Sequence, residues 1–219
     1  MLVQMVKACS RNLLPGGKNF RKLRFGPAAG CTMKIDFHRD LRLYLGLYES
    51  ETRAWFDRLV KKGDKAFDVG GAGGYDALLI SKLAGGAAVV SFECDHQAAE
   101  DMRETFRRNP YPIETVEGFV GDGQISLDEA ATRFFTPDFL KIDIEGAEDQ
   151  ALIGATRIIT TRKPSMIVEV HAVDKEARCL EILKGHGYDP IIVDRRTLFA
   201  ETRPLVHNRW LICPGKDVA

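Results

Sequence analysis

The chain has 219 residues, 45% of them hydrophobic and 28% charged, with a formal net charge of zero. That length supports one sizeable domain with its own core, and the lack of any run of about 18 apolar residues excludes a transmembrane helix. Five scattered cysteines, with no CxxC pair, give neither zinc-ligand spacing nor a disulfide framework, so reduced thiols in a cytoplasmic protein are expected.

Taken in chain order, residues 1 to 35 form a basic N-terminal arm. It carries Lys7, Arg11, Lys18, Arg21, Lys22, Arg24 and Lys34 and no acid, which leaves the rest of the chain net negative by seven. Such an arm suits an acidic partner or a transit function, and a solvated, loosely ordered terminus is the plainer account. PGGKN and GPAAG make the first thirty residues read as loops around short elements. Residues 40 to 60 turn helical, with Leu41, Tyr44, Leu45 and Tyr48, then Trp55, Phe56, Leu59 and Val60, and Glu51 and Thr52 are placed to open a second helix.

Strands and helices then alternate. Strands are expected at 65–70, 87–93, 113–121, from 139, at 165–171, at 191–194 and at 208–213. Helices are expected at 75–84, 96–109, over AEDQALIGATRIIT, and at 175–187, the last with a glycine cap. Alternation of this kind means a mostly parallel sheet with helices on both faces. The stretch 195–207 lacks helical periodicity, so the last two strands are expected to be antiparallel.

Ligands of an open α/β sheet bind outside the carboxyl ends of its strands. The acids gather there. The first strand ends in Asp68, Gly70, Gly71, Gly73 and Gly74, and the second in Glu93, placed to grip ribose hydroxyls. The third ends near Asp122, a turn residue or an adenine contact. The fourth ends in Asp143 and Glu145, the fifth in Glu169 and His171. No G-x-G-x-x-G and no P-loop are present, and an acid beside the glycine loop suits a cationic ligand, not a phosphate. A nucleoside with a ribose and a positive charge describes S-adenosylmethionine.

FDVGGAGGYDALLIS, SFECD, LDEAATRFFTPDFLKIDIEGAE and MIVEVH together resemble the FkbM-type branch of the class I S-adenosylmethionine-dependent methyltransferases. The resemblance runs over roughly residues 36 to 213, and KIDIEGAE is its most specific piece. The family often has Ala-Asn after the first loop glycine, where this chain has Gly71-Ala72, and proline after the second-strand acid, where this chain has Cys94. The resemblance implies a Rossmann-like seven-stranded sheet with the last strand antiparallel, in a single domain over 36–219. It implies methyl transfer, commonly to a hydroxyl of a sugar or natural product.

Cofactor binding is assigned to Asp68, Gly70, Gly71, Gly74, Glu93, Asp122 and Asp143. Asp143, Glu145, Glu169 and His171 are expected to surround the acceptor hydroxyl, with His171 or a carboxylate of raised pKa as base. Asp143, Glu169 and His171 could also hold Mg²⁺, although nothing in the spacing demands a metal. Lys141 reads as an ion-pair partner of Asp143 or Glu169, Asp149 as a helix-dipole acid, and Glu148 as either that or a site residue. Tyr44, Tyr48 and Glu49 are placed to close over the cofactor, with core packing the competing account of the tyrosines. N-methylation and a non-catalytic cofactor-binding module are the rival functions; nucleic acid is disfavoured as a partner by the lack of basic–aromatic interleaving in the body.

Overall fold

The computed structural model describes residues 16–121, 123–194 and 208–216. Its centre is a seven-stranded sheet in the order β5-β4-β3-β6-β7-β9-β8. The strands are β3 (Ala66–Val69), β4 (Val89–Glu93), β5 (Ile113–Glu117), β6 (Phe139–Ile142), β7 (Ser165–Val170), β8 (Ile191–Asp194) and β9 (Arg209–Cys213). β9 runs antiparallel between β7 and β8, and the other neighbouring pairs are parallel. All seven strands stand where the sequence pattern puts them. β3, β6 and β7 are buried along their whole length, as strands covered on both faces must be.

Two apolar clusters fill the two faces. One joins Phe67, Phe92, Leu140, Ile142, Val168 and Leu211 to Leu152, Ile158 and Leu183. The other joins Phe139, Ile167, Trp210 and Ile212 to Phe56, Leu59, Leu78 and Ile80. The strand order reverses between β3 and the pair β6–β7, so the crevice for a ligand opens at the carboxyl ends of β3, β4, β6 and β7.

Three local expectations need correction. The described part of the basic arm is not loosely ordered: β1 (Asn19–Lys22) and β2 (Thr32–Ile35) make an antiparallel hairpin, and Leu23, Cys31, Met33 and Ile35 are buried in the second cluster. The two helices expected over 40–60 are present as α1 (Phe37–Tyr44) and α2 (Arg53–Leu59), separated by a turn at residues 45–52, with Thr52 at the start of the second. AEDQALIGATRIIT, expected as one helix, is two, α6 (Glu148–Ile153) and α7 (Thr156–Thr161), after a short α5 (Leu127–Arg133) that carried no expectation. The strand expected over 113–121 ends at Glu117, and Val120 makes only an isolated bridge with Ile125. The remaining helices, α3 (Tyr75–Leu83), α4 (His96–Phe106) and α8 (Val173–Gly185), follow expectation. Residues 1–15 of the arm and the 195–207 connection lie outside the described residues, although β8 and β9 are antiparallel as expected. No helix among the described residues is long and apolar enough to cross a membrane.

Candidate active site

The glycine loop after β3 is shaped by close approach. Gly70 has φ +92°, and a Cβ there would lie 1.7 Å from the Asp143 carbonyl oxygen. Only glycine lets the ends of β3 and β6 lie so near each other. A Cβ at Gly71 would meet Ser91 Oγ at 2.3 Å, while Gly74, at φ +83°, turns the chain into α3. The Ala72 N–H donates to Glu93 Oε2 at 2.7 Å, and the Asp95 N–H donates to Glu93 Oε1 at 2.8 Å. Glu93 therefore ties the loop to the start of α4. A carboxylate has about four lone-pair sites, so these bonds leave room for two hydroxyl donors.

Asp68 lies beneath this loop and is 1% exposed. Its Oδ2 accepts from Ser91 Oγ at 2.7 Å, and its Oδ1 is buried without a hydrogen-bond partner among the described residues. Burial pushes its carboxyl up to about 6, against the opposing pull of Ser91 and Lys141.

Lys141 is fully buried at the floor of the crevice, in β6. Its Nζ lies 3.2 Å from Asp143 Oδ2, 3.6 Å from Glu169 Oε2 and 3.9 Å from Asp76 Oδ2, so it serves both expected partners and a third. Burial alone would lower its pKa, but Asp143, Glu49, Asp76 and Glu169 hold the ammonium well above its ordinary value. For Asp143, burial works upward, and Lys141 and His171 override it to leave the carboxyl below its usual value. One lysine cannot satisfy every acid this way. Burial takes Asp76 up to about 7 and Glu49 up to about 8 despite Lys141. Asp76 carried no functional assignment from sequence; its signal was an acid in the first turn after the glycine loop.

His171 follows β7. Its Nδ1 pairs with Glu148 Oε1 at 2.7 Å, and the same oxygen accepts the Gly146 N–H at 2.9 Å. Glu148 is fully buried in the first turn of α6. A carboxylate there keeps the proton of neutral imidazole on Nδ1 and turns the Nε2 lone pair to the crevice. Nε2 faces Asp143 Oδ1 at 3.5 Å and Glu169 Oε1 at 3.7 Å. Lys141 and His171 thus address opposite oxygens of the same two carboxylates. Burial would lower the His171 pKa, but Glu148, Asp143 and Glu169 raise it above its ordinary 6.5.

Glu169 is steered from β9 and the residue before it: Asn208 Nδ2 donates to Oε1 at 2.7 Å and Trp210 Nε1 donates to Oε2 at 3.0 Å. Trp210 stands opposite Glu169 across the antiparallel pair. Sequence reading assigned Asn208 and Trp210 only to a strand, because that cross-strand register is a tertiary fact. Asp143, Glu169 and His171 bring three donor atoms within 4.8 Å of one another. Glu145 stands apart, exposed in the turn after β6 at φ +34°. Asp149 pairs with Lys175 at 2.8 Å, in keeping with a structural role. Asp122 lies outside the described residues.

Residues 122–208 match the family described as the methyltransferase FkbM domain. Among solved structures, the fold is similar to precorrin-6y C5,15-methyltransferase from Geobacter metallireducens GS-15, with TM-score 0.55, 19% identity, and 76% of this chain covering 86% of that one. It is similar to methyltransferase FkbM from Methylobacillus flagellatus KT, with TM-score 0.56, 18% identity, and 72% of this chain covering 47% of that one. This chain thus spans about half the length of that protein. It is also similar to Aeropyrum pernix fibrillarin, solved with natively bound S-adenosyl-L-methionine, with TM-score 0.53, 17% identity, and coverage of 70% and 67%. At such identities the likeness is one of fold. No curated protein matches the chain in sequence.

Proposed function

We infer that this chain, which carries an FkbM methyltransferase domain on a class I methyltransferase fold, is an S-adenosylmethionine-dependent enzyme that methylates a hydroxyl. The acceptor class we propose is a sugar, a glycan precursor or a small natural product. The observation that carries this reading is His171, held by the buried Glu148 with Nε2 turned into an acid-lined crevice. An amine would need little help in losing a proton; an alcohol needs a base.

The residues present fit the cofactor. Glu93 has lone pairs for the two ribose hydroxyls, and Asp68 offers a buried oxygen that lacks a partner beside the glycine loop. An acid there suits the cationic methionine end. When bound, S-adenosylmethionine supplies a methyl carbon on a sulfonium, a leaving group that needs no acid. The protein's part is positioning and proton removal. Asp143 and Glu169 orient the acceptor hydroxyl, His171 Nε2 receives its proton, and Glu148 stabilises the resulting imidazolium. Lys141 fixes both carboxylates from below without entering the reaction. The four described cysteines are free, in keeping with the cytoplasmic setting we propose.

The test begins with calorimetric binding of S-adenosylhomocysteine to wild type and to an Asp68→Ala, Glu93→Ala double variant. Micromolar-range binding that disappears in the variant supports the cofactor site; no binding by folded wild type overturns it. Hydroxylated acceptors are then screened by mass for the gain of one methyl. His171→Ala should lower kcat by about 100-fold or more on the hydroxyl acceptor. An amine methylated at an undiminished rate by that variant would favour N-methylation.

A second reading rests on the 4.8 Å grouping of Asp143, Glu169 and His171 donors. Two carboxylates and an imidazole, with Glu148 behind the imidazole, also suit a divalent cation that acidifies a hydroxyl. Loss of turnover in EDTA with recovery in Mg²⁺ or Mn²⁺ selects this reading; indifference to EDTA selects His171 as base.

A further inference from the structure

The loop between α1 and α2 carries a feature that methyl transfer to a hydroxyl does not explain. Glu49 lies there in the left-handed region, at φ +39°, although it is not glycine. Its carbonyl is fastened by Thr52, whose N–H and Oγ1 donate to it at 3.1 and 3.0 Å, and Thr52 is 1% exposed. The base of the loop is fixed as well. Gly46 packs backbone to backbone on Gly26, where a Cβ would meet Gly26 Cα at 2.4 Å, and Arg53 Nη2 donates to the Gly46 carbonyl at 2.6 Å. A strained residue persists only where its surroundings over-determine it, and such strain clusters at ligand sites.

The result of that fastening is a carboxylate turned inward from an exposed loop. Glu49 Oε2 is buried and has no hydrogen-bond partner among the described residues. Its charged neighbours are Lys141, Asp76, Glu169 and Asp143. Asp68, by contrast, interacts with Glu93 as well as with Lys141 and Asp143. Glu93 marks the ribose end, and Glu49 shares Lys141, Asp76, Asp143 and Glu169 with the end where His171 awaits the acceptor. That end holds four carboxylates around a single buried ammonium, an arrangement that awaits a further positive charge from the ligand.

We propose that Glu49 faces the sulfonium end of the cofactor and makes the enzyme prefer the charged methyl donor over its neutral thioether product. This rests on the cofactor reading given above. S-adenosylmethionine and S-adenosylhomocysteine share the adenosine, carboxylate and ammonium groups, and they differ in the methyl and the charge on sulfur. A fixed carboxylate near that sulfur binds the first more tightly and lets the second leave.

The experiment measures Kd for both ligands, without acceptor, in wild type, Glu49→Gln, Glu49→Lys and the neighbouring Ser50→Ala as control. Glu49→Gln should lower the ratio of donor to product affinity by about tenfold, as expected for loss of one charge pair in a partly desolvated site. Glu49→Lys should lower it further, and Ser50→Ala should leave it alone. Should Glu49→Gln fail to fold, the Glu49→Lys ratio decides. A ratio within about twofold of wild type in the folded variants overturns the proposal, while the cofactor reading stands. Wild type that binds neither ligand overturns the cofactor reading itself.

Discussion

At the scale of single residues, the candidate site is a contest between burial and charge. Under the hydroxyl methylation we propose, His171 is the residue whose outcome matters most for rate. Protonated imidazole cannot accept a proton, so kcat should fall as pH drops through the His171 pKa, which lies above its ordinary 6.5. Glu148→Gln removes the counter-charge, so the acid limb should move to lower pH by about one unit. The high-pH plateau should also fall by about tenfold, because the imidazolium loses its stabilising partner. A rate that drops equally at every pH would instead mean that Glu148 only supports packing. Lys141 tests the other side of the contest. Lys141→Met leaves buried carboxylates without their cation, and urea unfolding should show a loss of about 3–5 kcal/mol. The acids at the strand ends were legible in sequence because each stands at the end of an apolar run. Their hydrogen-bond partners were not: Asn208, just before β9, and Trp210, within it, reach Glu169 across sequence separations of 39 and 41.

At the scale of elements, alternating strand and helix patterns placed every strand of the main sheet, because fully buried strands leave long apolar runs. What sequence could not show is where distant groups terminate a helix. The Gly154 carbonyl accepts from Asp128 N at 2.8 Å and from Ser126 Oγ at 3.0 Å. The Asp128 carboxylate in turn caps α7, accepting from Arg157 N at 2.7 Å and Ile158 N at 2.9 Å. One helical periodicity was thus cut in two by a residue about thirty positions upstream. The β1–β2 hairpin escaped for another reason, since its strands have only four residues each and sit among turn-forming residues. The glycine loop gives the firmest prediction at this scale. Gly70→Ala combines φ +92° with a Cβ 1.7 Å from the Asp143 carbonyl. It should cost more than about 4 kcal/mol. The variant is expected to be insoluble or to melt far below wild type in a thermal scan.

At the scale of the whole molecule, the uneven charge of the chain has an internal use. The basic arm is acid-free and the remainder is net negative by seven. Part of that imbalance is met where the hairpin lands on α4. Lys18 and Lys34 both bind Asp101, which is 4% exposed, and Lys34 also reaches Glu104 at 3.2 Å. Asn109 adds a two-sided clasp to Thr32, accepting its N–H at 2.9 Å and donating to its carbonyl at 2.8 Å. Burial would raise the Asp101 carboxyl, but the two lysines bring it below its ordinary 3.8. Its contribution is therefore full above that value and is lost as pH falls through the lower folded value. Asp101→Asn should destabilise the protein by about 1–2 kcal/mol at neutral pH, a modest figure because Lys18 is half exposed and screened. The difference from wild type should shrink as pH falls through that lowered value, below which both carry a neutral side chain at this position. Amide exchange should quicken across Asn19–Lys22 and Thr32–Ile35, with β3, β6 and β7 unchanged. Equal quickening across the central strands would mean that the hairpin is a cooperative part of the core, and its buried Leu23, Met33 and Ile35 would then outweigh the ion pairs that fasten it.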